Sequence, residues 1–290
     1  MFPDSIRQQI AAFGTELTPE LVKSTQALIA AEHGPPDPAT KVARDLAYGP
    51  DERHRADVFT RDGAEEAPVL VFVHGGGFVM GDKRSEGLPF YDNVGHFAAT
   101  QGWVGVTMTY RLAPAHPWPA GPEDLATLVH WLGDNIASHG GSPRRIFLMG
   151  QSAGAVHVAS YAAHPRFHPP GGAAIAGALL VSCIYDVEAA DANQFHKAYY
   201  GEDRAAYAAA STAQGLIASD IPLLATVSEF DIADFQKQAA DFVARYAAAR
   251  GAYPRMLYLQ GHNHLSPALA LGSQADSLGP EIRAFVEAHR

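Results

Sequence analysis

The chain has 290 residues, with 21 Lys+Arg against 31 Asp+Glu and a formal net charge of −10; 47% of it is apolar and 18% charged. That length suits one large domain, or one domain with a small lid, and the acidic balance argues against binding nucleic-acid phosphates or anionic membranes, both of which need clustered cations. Cys183 is the only cysteine, which excludes an intrachain disulfide, and its apolar surroundings over 178–184 predict a buried thiol.

Residues 4–31 carry Ile6, Ile10, Phe13, Leu17, Leu21, Val22 and Leu28 at helical spacing. They predict two short helices, ended by His33-Gly-Pro-Pro-Asp-Pro38, which cannot continue a helix. Residues 1–38 are thus expected to form a helical cap segment ahead of a catalytic domain over 39–290. The N-terminus lacks the basic segment and apolar stretch of a signal peptide, and no apolar run is long enough to cross a bilayer. Cytoplasmic residence is the expectation.

Two strands are predicted over 42–48 and 55–60, followed by unbroken apolar runs at 68–73 and 104–110 of the kind a strand covered on both faces requires. Next come an amphipathic helix over 123–139, a third central strand over 145–149 and a helix over 153–164. Residues 175–184 contain a strand, 222–227 form another, 234–250 a helix, 255–259 the last strand and 280–289 the closing helix. This alternation predicts an α/β fold with a mostly parallel sheet and helices on both faces. Residues 187–219 interrupt it with an Ala-rich helical stretch bearing Phe195, Tyr199, Tyr200 and Tyr207. The segment reads either as a lid over a pocket mouth or as a helical excursion that packs its aromatics into the core.

Gly150-Gln-Ser-Ala-Gly154 fits Gly-x-Ser-x-Gly, with an apolar strand before it and a small-residue helix after it. That strand–turn–helix setting presents a serine, here Ser152, at a sharp and strained turn. His74-Gly-Gly-Gly-Phe78 directly follows the 68–73 strand. Its bare backbone N–H groups suit the oxyanion of a tetrahedral intermediate, where loss of one donor has cost about 3–4 kcal/mol in another enzyme. A phosphate-binding loop would need Lys and Ser/Thr in a following helix, and Phe78-Val-Met-Gly-Asp82 does not provide them.

With Tyr110-Arg-Leu-Ala-Pro114 and His116-Pro-Trp-Pro-Ala120 between these two motifs, the chain resembles the hormone-sensitive-lipase-like branch of the α/β-hydrolases over about residues 40–290. It is also similar to the carotenoid-esterase and arylformamidase-like hydrolases that share these motifs. The resemblance implies an α/β-hydrolase fold and a Ser-His-Asp triad. It also implies Gly76, Gly77 and Ala153 as oxyanion donors and a scaffold role for Arg111; Asp124, at the start of the next helix, reads as a cap or scaffold carboxylate. The order Ser, acid, His puts the acid after the strand at 222–227. There Glu229-Phe-Asp231 points to Asp231, with Glu229 the weaker rival and Asp234 a cap or surface carboxylate; Ile232 stands where the family often has proline. Leu259-Gln-Gly-His-Asn-His264 offers His262 and His264. The Leu265-Ser266 continuation resembles that after the family's histidine and favours His264, leaving His262 to pack the loop. His74 reads as ordering the glycine loop.

The expected activity is hydrolysis of small to medium carboxylic esters, with an arylformamidase-like amide hydrolase as the alternative and a non-catalytic small-molecule receptor as a third reading. Phe78, Trp118, Tyr199 and residues of the N-terminal helices read either as an aromatic pocket mouth or as core. No cofactor and no metal are expected, since the His-x-His pair has no further ligand cluster at metal spacing. The expected partner is a small ester, without nucleic acid or membrane, and a homo-oligomer is left open.

Overall fold

The computed structural model describes residues 2–289 and lays its strands into one eight-stranded sheet. The strands are β1 (Lys41–Ala47), β2 (Arg55–Thr60), β3 (Ala67–Val73), β4 (Val104–Met108), β5 (Gly141–Gln151), β6 (Gly177–Val181), β7 (Leu223–Phe230) and β8 (Met256–Asn263). Their spatial order is β1-β2-β4-β3-β5-β6-β7-β8. The β1–β2 and β2–β4 pairs are antiparallel and all others parallel. Every residue of β3, β4 and β6 is buried, as their unbroken apolar sequences require. β3 lies between β4 and β5, so the chain leaves it first to one side and then to the other. In open α/β sheets such a switch point opens a crevice at the carboxyl ends of the strands.

The helices are α1 (Asp4–Phe13), α2 (Pro19–Ala30), α3 (Asp92–Thr100), α4 (Ala120–Asn135), α5 (Ala153–Ala163), α6 (Gln194–Tyr200), α7 (Ala213–Ala218), α8 (Ala233–Arg250), α9 (Ser266–Leu269) and α10 (Gly279–Ala288). Alternation along β3 separates two cores. Val69, Val71 and Val73 pack with Leu125, Leu128 and Leu132 of α4 and Val156 and Val158 of α5. Leu70 and Phe72 face the other way, with Phe97 of α3 and Ile282 and Phe285 of α10. α1 and α2 form a third cluster through Ile6, Ile10 and Ile29, packed with Phe90 and Leu269. Thr18 caps α2, accepting from Leu21 N at 3.1 Å, and Pro19 supplies the preset first turn.

Helix α3 is absent from the sequence-based expectation. Its sequence, Asp92-Asn-Val-Gly-His-Phe-Ala-Ala-Thr100, contains a glycine that weakens the helical pattern. The structure supplies the reason for Gly95: a Cβ there would collide with the Phe59 ring on β2. The strand expected at 145–149 starts earlier, at Gly141, and the helix expected to run to 139 ends at Asn135 in a 3-10 turn.

The segment 187–219 holds α6, a 3-10 turn over Arg204–Ala210, and α7. Tyr199 and Tyr207 are each 1% exposed. Tyr199 stacks on Phe78 with ring centroids 4.4 Å apart and so enters the main core, while Tyr207 packs in a small cluster with Val187 and Ala210. Among the described residues no helix is long and apolar enough to cross a membrane.

Three histidines lie wholly inside. Burial pushes His74 down to about 4, and His157 and His262 down to about 3, so all three are neutral in the folded chain. Unfolding returns them to ordinary histidine behaviour near 6.5. Their folded values are depressed, so the stability they contribute is fully present above about pH 6.5 and is lost as pH falls toward 3–4. The melting temperature is therefore expected to drop already between about pH 6.5 and 5, above the carboxylate range. Calorimetry across that window at fixed ionic strength checks this, and a flat profile would contradict it.

Candidate active site

Ser152 sits between β5 and α5 with φ 56° and ψ −123°, a conformation L-residues rarely adopt. Its neighbours explain how the turn closes. A Cβ on Gly150 would collide with the Gly154 carbonyl, and one on Gly154 with the Val73 carbonyl, so strand and helix approach at a distance only glycine permits. The hydroxyl is left half-buried at the end of the sheet.

His264 follows β8 directly and Asp231 follows β7. His264 Nδ1–H donates to Asp231 Oδ1 at 2.7 Å, which fixes the tautomer and leaves Nε2 to accept from Ser152 Oγ at 2.8 Å. Asp231 is fully buried and accepts three further bonds: from Ile232 N at 3.0 Å to Oδ1, and from Ser182 Oγ at 2.5 Å and Ser228 N at 3.2 Å to Oδ2. Burial by itself raises its pKa. The charge and hydrogen bond of His264, then the Ser182 hydroxyl and the Ser228 N–H, outweigh burial and hold the carboxyl below the ordinary range. Phe235, in the first turn of α8, lies edge-on to His264 with centroids 4.5 Å apart.

The rival side chains are engaged elsewhere. His262 is bonded at Nδ1 to Ser266 Oγ at 2.9 Å and at Nε2 to Ser277 Oγ at 2.7 Å, with Phe2 packed on its ring at 3.9 Å. Glu229 pairs with Arg7 at 2.6 Å and accepts from Gly261 N at 2.7 Å, and Asp234 accepts from Asp191 N at 3.0 Å. Both histidines of the His-x-His pair thus bond to side chains of the fold. Among the described residues no three His, Cys, Asp or Glu side chains gather in a metal-binding group.

The loop bearing His264 is braced from two sides. Gln151 Nε2 donates to the His264 carbonyl at 2.9 Å. Asn263 Nδ2 donates to Thr25 Oγ1 of α2 at 2.8 Å, while its Oδ1 accepts from Leu265 N and Ser266 N.

The glycine loop after β3 abuts the serine: a Cβ on Gly75 would stand 3.2 Å from Ser152 Cβ. Gly76 has φ 123° and Gly77 φ 58°, the left-handed region glycine enters at no cost. The N–H groups of Gly76, Gly77 and Ala153 donate to no acceptor among the described residues; Ala153 opens α5, whose first N–H groups have no partner within the helix. Neutral His74 shapes this loop, donating from Nδ1 to the Gly75 carbonyl at 2.6 Å and stacking on Tyr110 at 4.4 Å. Tyr110 Oη–H donates to the His74 carbonyl at 2.9 Å. Next to it, Arg111 donates from N and Nε to fully buried Asp124, each at 2.7 Å, and His54 joins the same carboxylate at 3.0 Å. Asp124 therefore ties the loop after β4 to α4 and does not cap the helix.

Of the two readings of the aromatics, Phe78 and Tyr199 follow the core one, buried against each other, while Trp118 is half-buried with Arg166 over its ring and its backbone N donates to the Tyr199 carbonyl at 2.8 Å. The rings beside the site are Phe235 and Phe195, the latter on α6 with its ring 2.9 Å from where a Gly77 Cβ would stand. Sequence reasoning also missed Ser182 and Gln151. Phe195 is marked in the sequence only as one of the aromatics of the 187–219 segment, and Phe235 carries a local signal, four residues beyond Asp231 at a helix start.

Residues 70–266 match the family model described as alpha/beta hydrolase fold, and the chain belongs to that family. It is 44% identical over 92 residues to carboxylesterase NlhH of Mycobacterium tuberculosis, a match covering 31% of this chain and 27% of that protein. It is 39% identical over 107 residues to phenmedipham hydrolase of Pseudarthrobacter oxydans, covering 34% and 20%. The chain therefore spans between a fifth and a third of the length of these curated relatives. Among solved structures, esterase B of Lactobacillus rhamnosis superposes with TM-score 0.75 at 16% identity over 99% of this chain and 96% of that one. The esterase of the archaeon Pyrobaculum calidifontis gives 0.73 at 21% identity over 99% and 98%. At these identities the likeness is one of fold.

Proposed function

We propose that the chain is a serine carboxylesterase acting on small to medium carboxylic esters, with Ser152 as nucleophile, His264 as base and Asp231 as the acid that orients it. The observation that carries this reading is the continuous hydrogen-bonded line from Ser152 through His264 to Asp231, at 2.8 and 2.7 Å, beside three N–H groups without acceptors. The names of two relatives, carboxylesterase NlhH and phenmedipham hydrolase, agree with a hydrolytic activity.

In this mechanism His264 Nε2 takes the proton as Ser152 Oγ attacks the ester carbonyl carbon, and Asp231 stabilises the imidazolium. The N–H groups of Gly76, Gly77 and Ala153 receive the oxyanion. His264 then protonates the leaving alcohol as the carbon–oxygen bond breaks, giving the Ser152 acyl-enzyme. Water, deprotonated by His264, repeats the attack and releases the acid. Phe195 against the glycine loop and Phe235 against His264 restrict the space around the carbonyl, which supports short acyl groups. Residues 1–38 act as a cap that braces the His264 loop through Thr25 and Arg7, and 187–219 acts as a docked roof whose buried Tyr199 and Tyr207 anchor it.

The test is a panel of p-nitrophenyl acetate, butyrate and octanoate alongside an N-formyl aryl amide. The esters are expected to be turned over with the short chains preferred, and the amide more slowly. Faster turnover of the amide than of every ester would overturn the assignment.

A further inference from the structure

Ser182 is the first residue after β6, 1% exposed, with φ 52°. A non-glycine side chain in the left-handed region is strained, and such strain persists where surrounding structure fixes it. Here the strain accompanies a specific contact. The Ser182 hydroxyl donates at 2.5 Å to Oδ2 of Asp231, the carboxylate oxygen that does not face His264. The preceding residue reaches the other end of the triad: the Val181 carbonyl accepts from Ser152 N at 3.0 Å. Two consecutive residues at the end of β6 thus touch the nucleophile's backbone and the acid's side chain, and Ser182 N is itself fixed to the Thr226 carbonyl of β7 at 3.2 Å.

We propose that Ser182 is a positioning residue of the triad, its hydroxyl locking the Asp231 carboxylate so that Oδ1 stays on His264 Nδ1–H. The proposal rests on the serine-esterase reading given above. A carboxylate has two oxygens and can rotate; a donor on Oδ2 from a neighbouring strand removes that freedom. The same donor stabilises the carboxylate's charge, so the Asp231–His264 pair holds its proton less tightly than it would without it. Other titratable groups on elements meeting at Asp231 are Cys183, Tyr185 and Asp186 after β6, the Glu229–Arg7 pair of β7 and α1, and Asp234 of α8; a substitution at Ser182 changes none of these side chains.

The experiment measures kcat/KM for p-nitrophenyl butyrate against pH for the parent, Ser182→Ala and Ser182→Gly. Ser182→Gly keeps the test open if alanine at φ 52° does not fold, because glycine suits that backbone while still lacking the hydroxyl. Loss of one bond to a charged group corresponds to a fall of roughly 10- to 100-fold in kcat/KM, carried mainly by kcat. The acid limb of the profile is expected to move to higher pH, since the pair then binds its proton more tightly. An unchanged rate overturns the proposal, and so does a fall without movement of the acid limb, which marks a purely structural role. If the parent itself fails to hydrolyse the ester, the esterase reading fails, a result distinct from a parent that works and Ser182 variants that match it.

Discussion

Ser152→Ala is expected to fold as the parent does and to lose about a millionfold in ester turnover, the scale seen when the nucleophile of another serine hydrolase is removed. The side chain is half-buried and makes one hydrogen bond, to His264, so little stability depends on it. His264→Ala is expected to cost the same, and the double variant no more than either single one, because nucleophile and base act as a unit. His262→Ala provides the contrast. It removes a buried ring held by Ser266, Ser277 and Phe2, so the melting temperature falls while most turnover remains. Labelling by a fluorophosphonate probe, with calorimetry on each variant, reads both quantities. Full labelling of His264→Ala together with loss in His262→Ala would reverse the assignment of the base.

Asp231→Asn is expected to lower kcat by roughly 10⁴-fold while preserving the fold, as the same change does in another Ser-His-Asp enzyme. The hydrogen-bond pattern makes the argument specific. An asparagine must place its NH2 either toward Ser182 and Ser228, which both donate to that position, or toward His264 Nδ1. The first orientation sets the NH2 against the Ser228 N–H, 3.2 Å from that position, and obliges the Ser182 hydroxyl to turn and accept. The second makes Nδ1 an acceptor, puts the proton on Nε2 and leaves nothing to take the Ser152 proton. The second orientation disables the base, and the first is opposed by the Ser228 N–H and lacks the carboxylate charge that stabilises the imidazolium. Pre-steady-state kinetics with a p-nitrophenyl ester would show the loss in acylation, and an acylation rate within tenfold of the parent would refute it.

Much of this arrangement was legible in the sequence because it depends on local constraints. The strands of the central sheet are unbroken apolar runs, and the Gly-x-Ser-x-Gly turn and the glycine loop need particular backbone shapes at fixed positions. The places after successive strands narrow the acid to Glu229 or Asp231 and the base to His262 or His264, and the family resemblance favours Asp231 and His264. What escaped depends on contacts across the chain. Nothing near Ser182 signals that it meets a carboxylate 49 residues away. Phe195 reaches Gly77 only because α6 folds back over the glycine loop, and only the contact with Tyr199 decides between a pocket mouth and the core for Phe78. α3 was hidden by Gly95, which the Phe59 ring demands and no local pattern favours.

The bracing of the His264 loop bears on how the chain folds. Arg7 meets Glu229 across 222 positions, and Thr25 meets Asn263 across 238. Closing contacts over such separations is entropically costly and comes late relative to local helix and turn formation. The sheet's centre can assemble while the His264 loop is still unsupported. In a chain growing from its N-terminus, Arg7 and Thr25 must wait for nearly all the rest of the chain before they find their partners.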